Sequence, residues 1–275
     1  MTIDFKPSRF LLLLRKFIRE NRKTYFLYVA GLFGILFLTY GLFVFLSLHT
    51  IFPRDIQKVF FVTGLLFGGS YFSASFYSFF SKAPKAIQFL QLPVSNGEKL
   101  LLSYLFTQFV FFFSFMLIFL STDWMLCTFY NRFVAIPAWT SPLQHYLFKA
   151  DVLDLSDNRN QLSILTFFLL SSIAHFGSLA FTKHAFVKTA IALIIVCSAI
   201  SLYNQYSMFG LVSSIEIMPH GMFFTDAFRI DSQINTGNLV VLPRNWVVPM
   251  YYILPSIIYI SFWTGSYFKL KEKQV

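Results

Sequence analysis

The residues of this chain with the types needed for chemistry are scattered. Five histidines, His49, His145, His175, His184 and His220, fall on both flanks and in the interior of its apolar runs, with no metal-ligand clustering. Only His175 is an ionisable residue well inside an apolar run. Ionisable groups at membrane depth are functional candidates, although the plainer reading is a neutral imidazole bonded to a neighbour. Asp151, Asp154 and Asp157 are spaced three apart, unlike an EF-hand loop, and read as a solvated acidic edge. Cys127 and Cys197 form no C-x-x-C pair and read as packed, inert thiols, one near an outer face and one at bilayer depth. The sequence contains no H-E-x-x-H, no G-x-S-x-G and no G-x-x-x-x-G-K-[ST] motif. We therefore expect no catalytic residue, metal site or cofactor in this chain, and no enzyme activity of its own.

The elements that carry these residues follow from composition. The chain has 275 residues, 56% hydrophobic and 12% charged, against about 25% charged in an ordinary soluble domain. Such a chain cannot hide its apolar surface in one water-soluble core. A span of a hydrocarbon layer about 30 Å thick needs about 20 apolar helical residues, and unpaired backbone groups are not tolerated there. Six apolar runs, free of charge apart from Lys188 at the start of the fifth, predict an all-α membrane protein with spans near 25–48, 59–81, 100–122, 161–182, 186–208 and 246–268. These form a transmembrane domain over 25–268, with outer segments 123–160 and 209–244 and a short tail at 269–275. The first run is too long for a signal-peptide core and reads as a retained helix.

The net charge is +10. Its basic residues gather at the ends of the apolar runs and are not interleaved with aromatics, so they read as orientation signals, with no nucleic-acid partner. Fifteen of the 22 Lys and Arg lie on the side that carries both termini and the loops after spans two and four. That side is expected to be cytoplasmic.

Four local patterns stand out. Residues 1–24 form a cytoplasmic tail in which Phe10, Leu11, Leu13, Leu14, Phe17 and Ile18 alternate with basic residues, predicting an amphipathic helix in the interface. Residues 82–99 predict a short cytoplasmic helix. Ala83, Ala86, Ile87 and Leu90 share one helical face, Pro84 suits the first turn, and Pro93 ends the helix. Ser95 and Glu98 then form a capping box for the next helix. Within span two, Gly64, Gly68 and Ser73 offer a small-residue packing seam. In span six, Pro249 and Pro255 predict a loosened helix.

This layout resembles the ABC-2 type permeases, the membrane-spanning subunits of ATP-binding cassette transporters. The stretch from Leu90 to Leu101 looks like the L-P-x-S-x-x-E-K segment of a group of bacterial permease-like proteins. The resemblance implies a bacterial inner-membrane protein. It implies docking on a cytoplasmic ATP-binding cassette ATPase through Pro84, Ile87, Phe89, Leu90, Leu92, Pro93 and Glu98. It also implies a second permease subunit, ATP bound only by the partner, and export or flipping of a substrate. The mostly uncharged interior suits an amphiphilic one. The loop after span three is long where the family's is short, which points to an outer-face partner or gate. The alternatives are a membrane scaffold that binds a partner through its outer loops and, with less support, an intramembrane enzyme.

Overall fold

A computed structural model describes residues 6–49, 51–52, 54–81, 83–134, 148–181, 183–211, 216–219, 227–231, 238–241 and 244–273, with backbone alone at 83, 158 and 159 and over 204–252. Most of the described apolar residues are helical. Helix α1 spans Pro7–Leu46, with Pro7 in its first turn. Helix α2, Arg54–Thr63, continues through a π-helical turn, Gly64–Gly68, into α3, Gly69–Ser75. A 3-10 turn at Ser78–Ser81 leads to α4, Ala83–Leu90. Helix α5, Asn96–Tyr104, passes through a second π turn, Leu105–Val110, into α6, Phe111–Phe133. Helices α7, Asn158–Ala180, and α8, Ala185–Leu211, follow, and α9, Arg244–Glu272, closes the chain. Helix α9 runs as one element through Pro249 and Pro255.

Among the described residues, four helices are long and apolar enough to cross a membrane: Pro7–Leu46, Asn96–Phe133, Asn160–Ala180 and Ala185–Tyr203. None of the apolar window of the last is buried. Ile194 and Ile195 on α8, and Phe26, Leu27 and Leu38 on α1, present more than half of their surface. Contiguous apolar surface on this scale is a liability in water and costs nothing against lipid chains.

Two boundaries differ from those read off the sequence. The expected interfacial helix and the first span are one 40-residue rod of about 60 Å. Nothing between Arg19 and Tyr25 breaks a helix, and the Asn21 side chain donates to the Phe17 carbonyl at 3.0 Å. The apolar stripe of its first turns packs on the protein's own core: Leu13 is buried, and Phe10, Leu14 and Phe17 lie against the same cluster. The outer segment expected at 123–160 is helical from its start to Phe133, because α6 runs on to that residue. The second outer segment holds a small antiparallel sheet of strands β1 (Glu216–Pro219), β2 (Ala227–Asp231) and β3 (Asn238–Val241) in the order β1-β2-β3. Ile217 is opposite Ile230, and Phe228 is opposite Val240. Short β-branched and aromatic runs between glycine-containing segments suit such a meander. Trp139, Pro137, Pro142, Met222, Phe223, Phe224, His145 and His220 lie outside the described residues.

Helix α7 packs against α3, α8 and α9, and both π turns touch it. On the other side, α1 packs along α6. The central core is a column of rings at i, i+4 spacing on α6. Phe111 stacks on Phe115 at 6.1 Å, Phe115 stacks on Phe119 at 5.9 Å, and Phe167 of α7 stacks on Phe111 at 5.8 Å. Glycines make room for the column. A Cβ at Gly64 would approach Phe115 to 2.9 Å, one at Gly68 would approach Phe111 to 3.3 Å, and one at Gly69 would overlap Phe167. At the α7–α8 hairpin, a Cβ at Gly177 would overlap Thr189. His184, at φ 53, makes the tight turn there.

Gly69→Ala and Gly177→Ala should each destabilise the protein by about 1–3 kcal/mol through overpacking. Gly31→Ala and Gly34→Ala, where a new methyl meets nothing within 4 Å, should leave the thermal unfolding midpoint in detergent unchanged or raised. Equal midpoints for all four variants would contradict the close approach of α3 and α8 to α7.

Candidate functional site

The corner between α4 and α5 is built from two adjacent, fully buried charges, Glu98 and Lys99. Ser95 caps α5 by accepting from the Glu98 backbone N–H at 3.2 Å, and Glu98 Oε2 accepts from the Ser95 N–H at 2.7 Å, the reciprocal capping box. The same carboxylate reaches a third element. Its Oε1 accepts from the Lys6 backbone N–H at 3.0 Å and from Arg9 Nη2 at 2.8 Å, and Arg9 Nε lies 3.2 and 3.1 Å from its two oxygens. Lys99 turns the other way. Its Nζ donates to the Leu90 carbonyl at 2.9 Å, at the open C-terminal end of α4, and sits 5.5 Å from the centre of the Phe89 ring. Pro93 separates the two helices, and Ser95, Glu98 and Lys99 each have a structural partner here.

The residues expected to contact an ATPase divide into two groups. Pro84, Ile87 and Pro93 are exposed, Ile87 at 53%. Phe89 and Leu92 pack on the protein's own core, with Phe89 5.0 Å from Phe79 and 6.1 Å from Tyr77. Leu90 is half-buried and offers its carbonyl to Lys99, and Glu98 is wholly enclosed. The free face of α4 is therefore Pro84, Lys85, Ile87 and Gln88.

Behind the corner runs a buried polar seam. Ser171, His175 and Ser178 share one face of α7 and have almost no exposed surface. His175 Nε2 lies 2.9 Å from Ser103 Oγ of α5, and its Nδ1 lies 3.3 Å from Ser266 Oγ of α9. Its ring packs 4.4 Å from Trp263 and 5.3 Å from Tyr77. A neutral imidazole donates from one nitrogen and accepts at the other, so one of the two serines accepts from the ring and the other has to turn its single O–H toward it. This is a packed, hydrogen-bonded histidine joining three helices, and its Ser103 neighbour also bonds the Leu100 carbonyl. Ser73 Oγ and both amide atoms of Gln108, in the second π turn, are buried and have no partner among the described residues.

At the opposite end a second buried carboxylate ties the helix ends together. Asp123 on α6 accepts from Tyr40 Oη at 2.7 Å, from Gln57 Nε2 at 2.8 Å to each oxygen, and from the Leu153 N–H at 2.8 Å. Asn131 makes two 2.8 Å bonds to the Ala150 backbone. Residues 148–157 are thus fastened onto α1, α2 and α6. Asp151 faces Arg54 and Lys149 at 3.7 Å, and Asp157 faces Lys58 at 3.0 Å, so two of the three spaced aspartates make ion pairs, all of them at least one-third exposed. Among the described residues no three His, Cys, Asp or Glu come together as a metal site.

Sequence reasoning missed Arg9 and Asp123, and took Lys99 only as a motif position. Glu98 is the sole acid between positions 56 and 122, which signals a need for a cation. Arg9 is one of seven basic residues in the tail, and nothing in the pattern selects it. Compared with protein-family models, with curated proteins and with solved structures, the chain matches none. What its own structure defines is a class: a largely helical chain with four helices able to span a membrane among the described residues, stapled at each end by a buried carboxylate.

Removing one partner of a buried pair strands the other. Glu98→Ala should cost about 3 kcal/mol or more and speed amide exchange over residues 83–99. Arg9→Ala should cost less, since the Ser95 and Lys6 N–H groups keep their acceptor. Equal, negligible shifts in the unfolding midpoint would contradict the clamp.

Proposed function

We propose that this chain is the membrane-spanning half of an ATP-driven transporter of the ABC-2 permease kind, with six spans, in a bacterial inner membrane. It works with a separate cytoplasmic ATPase and a second permease subunit. The observation that carries this reading is the α4–α5 corner, a short helix with a free outer face and a rigid rear attachment. Pro84, Lys85, Ile87 and Gln88 are available to a partner, while Phe89, Lys99 and Glu98 fix the helix to the body. A force on α4 is delivered to α1 through Glu98 and Arg9, and to α5 directly.

The arrangement of ends supports a common cytoplasmic side. Leu13 near the start of α1, Val94 in the corner and Leu270 near the end of α9 share one buried cluster. The basic tail and the Lys-containing loops belong to that end. The remaining two of the six spans are α2–α3, about 33 Å through its π turn, and α9, about 43 Å. The π turns beside α7 suit helices that change register, since such turns gather at functional positions. The substrate is amphiphilic, in keeping with an interior of rings and hydroxyls.

A second reading, a scaffold that binds a partner at its outer face, draws on the Asp123 staple, which organises residues 148–157 into a fixed surface.

Tagged protein purified in mild detergent should bring down an ATPase. Ile87→Asp, at an exposed position, should reduce the co-purified activity about tenfold or more, since a charge in an apolar contact left unpaired costs at least 1.4 kcal/mol. An unchanged ATPase yield with the variant, or no ATPase with well-folded native protein, would favour the scaffold.

A further inference from the structure

A groove of about 600 Å³ runs along α1, between it and the second π turn with α6. Its walls include Tyr25, Leu32 and Ile35 on one side and Phe72, Phe106 and Phe111 on the other. Arg22 is the sole charged residue of the lining. Arg15 and Arg19 precede it by two turns and one turn and, with Leu11, Leu14 and Ile18, border a second hollow of about 450 Å³ that also reaches Arg22. All three arginines are exposed, and none has an ion-pair partner among the described residues; the nearby Glu20 pairs with Lys16 instead. From Arg22 to Ile35 the helix rises about 20 Å, more than the roughly 15 Å that one leaflet contributes to the hydrocarbon core. Gly31 leaves the groove open, as a Cβ there would meet nothing within 4 Å.

We propose that this groove holds an acyl chain of an anionic phospholipid, with its phosphate on Arg22 and with Arg15 and Arg19 beside it. The apolar lining accepts the chain. The arginine cluster sits where the apolar run of α1 begins, at the depth of a head group, and guanidinium forks match phosphate oxygens. A second protein helix would fill the groove equally well but would have to bring carboxylates to the same three arginines. The inference rests on the membrane setting and is independent of the ATPase partner.

The test uses purified, delipidated protein titrated in detergent with phosphatidylglycerol and phosphatidylcholine of the same acyl chains, with bound lipid counted by native mass spectrometry. The native chain should hold one phosphatidylglycerol in preference to phosphatidylcholine. Arg15→Gln, Arg19→Gln and Arg22→Gln together should abolish the preference, at about fivefold per arginine, with phosphatidylcholine binding retained. Gly31→Phe should lower binding of both lipids by filling the groove. All four positions are exposed, and unchanged unfolding midpoints check that the variants fold. Equal binding of the two lipids by the native chain, or a preference that survives the triple substitution, overturns the proposal. So does a Gly31→Phe variant that separates a dimer without changing the lipid count, which would assign the groove to a second copy.

Discussion

A carboxylate with no exposed surface has to be given hydrogen-bond donors by the protein, because nothing else can replace the water it has lost. Glu98 meets that constraint by drawing three segments together: its own capping turn, the backbone at Lys6 and the guanidinium of Arg9. The start of α1 is therefore held against the α4–α5 corner. Lys99, its neighbour in sequence, solves the opposite problem by reaching the last carbonyl of α4. Two adjacent charges, each satisfied in a different direction, make the corner stiff. A stiff corner is what the proposed coupling role requires.

The same device recurs at the far end of α1. Tyr40 bonds Asp123, so the rod is fastened by a buried carboxylate near each terminus. Between Arg9 and Tyr40 lie about 46 Å of helix, much of which exposes large apolar side chains such as Leu27 at 73%. Polar anchoring at the two ends and apolar exposure between them is the pattern expected of a helix in lipid, where packing and hydrogen bonds, more than burial from water, hold neighbours together. Close packing takes the rest of the load: Gly69 and Gly177 let α3 and α8 reach α7, and the ring column of Phe111, Phe115 and Phe119 fills the space between α6 and its neighbours.

Much of this was legible in the sequence. Charge-free runs of span length marked the long helices, and Ser95 with Glu98 announced the cap that the structure contains. Pro93 marked the corner, and Gly64 and Gly68 marked positions that face rings. Three features were hidden for physical reasons. The union of the tail helix with the first span depends on the absence of a breaker, which a change in polarity at Thr24 and Tyr25 obscured. Asp123 looked like the end of a span because an acid is costly in hydrocarbon. Its donors, Tyr40, Gln57 and the Leu153 N–H, come from distant positions that no local pattern connects. The inward turn of Phe89 and Leu92 was equally invisible, since α4 is apolar on more than one side and only its packing partners, Tyr77 and Phe79, decide which face is free.

The proposed coupling role requires the free face of α4 to lie on the cytoplasmic side of the membrane. In a chain carrying Cys127→Ser and Cys197→Ser, Ile87→Cys supplies a single exposed thiol at that face. Labelling with a membrane-impermeant maleimide should fail on intact cells and succeed once the membrane is permeabilised. Labelling of intact cells would place the corner outside, beyond reach of any cytoplasmic ATPase, and would contradict the permease reading directly.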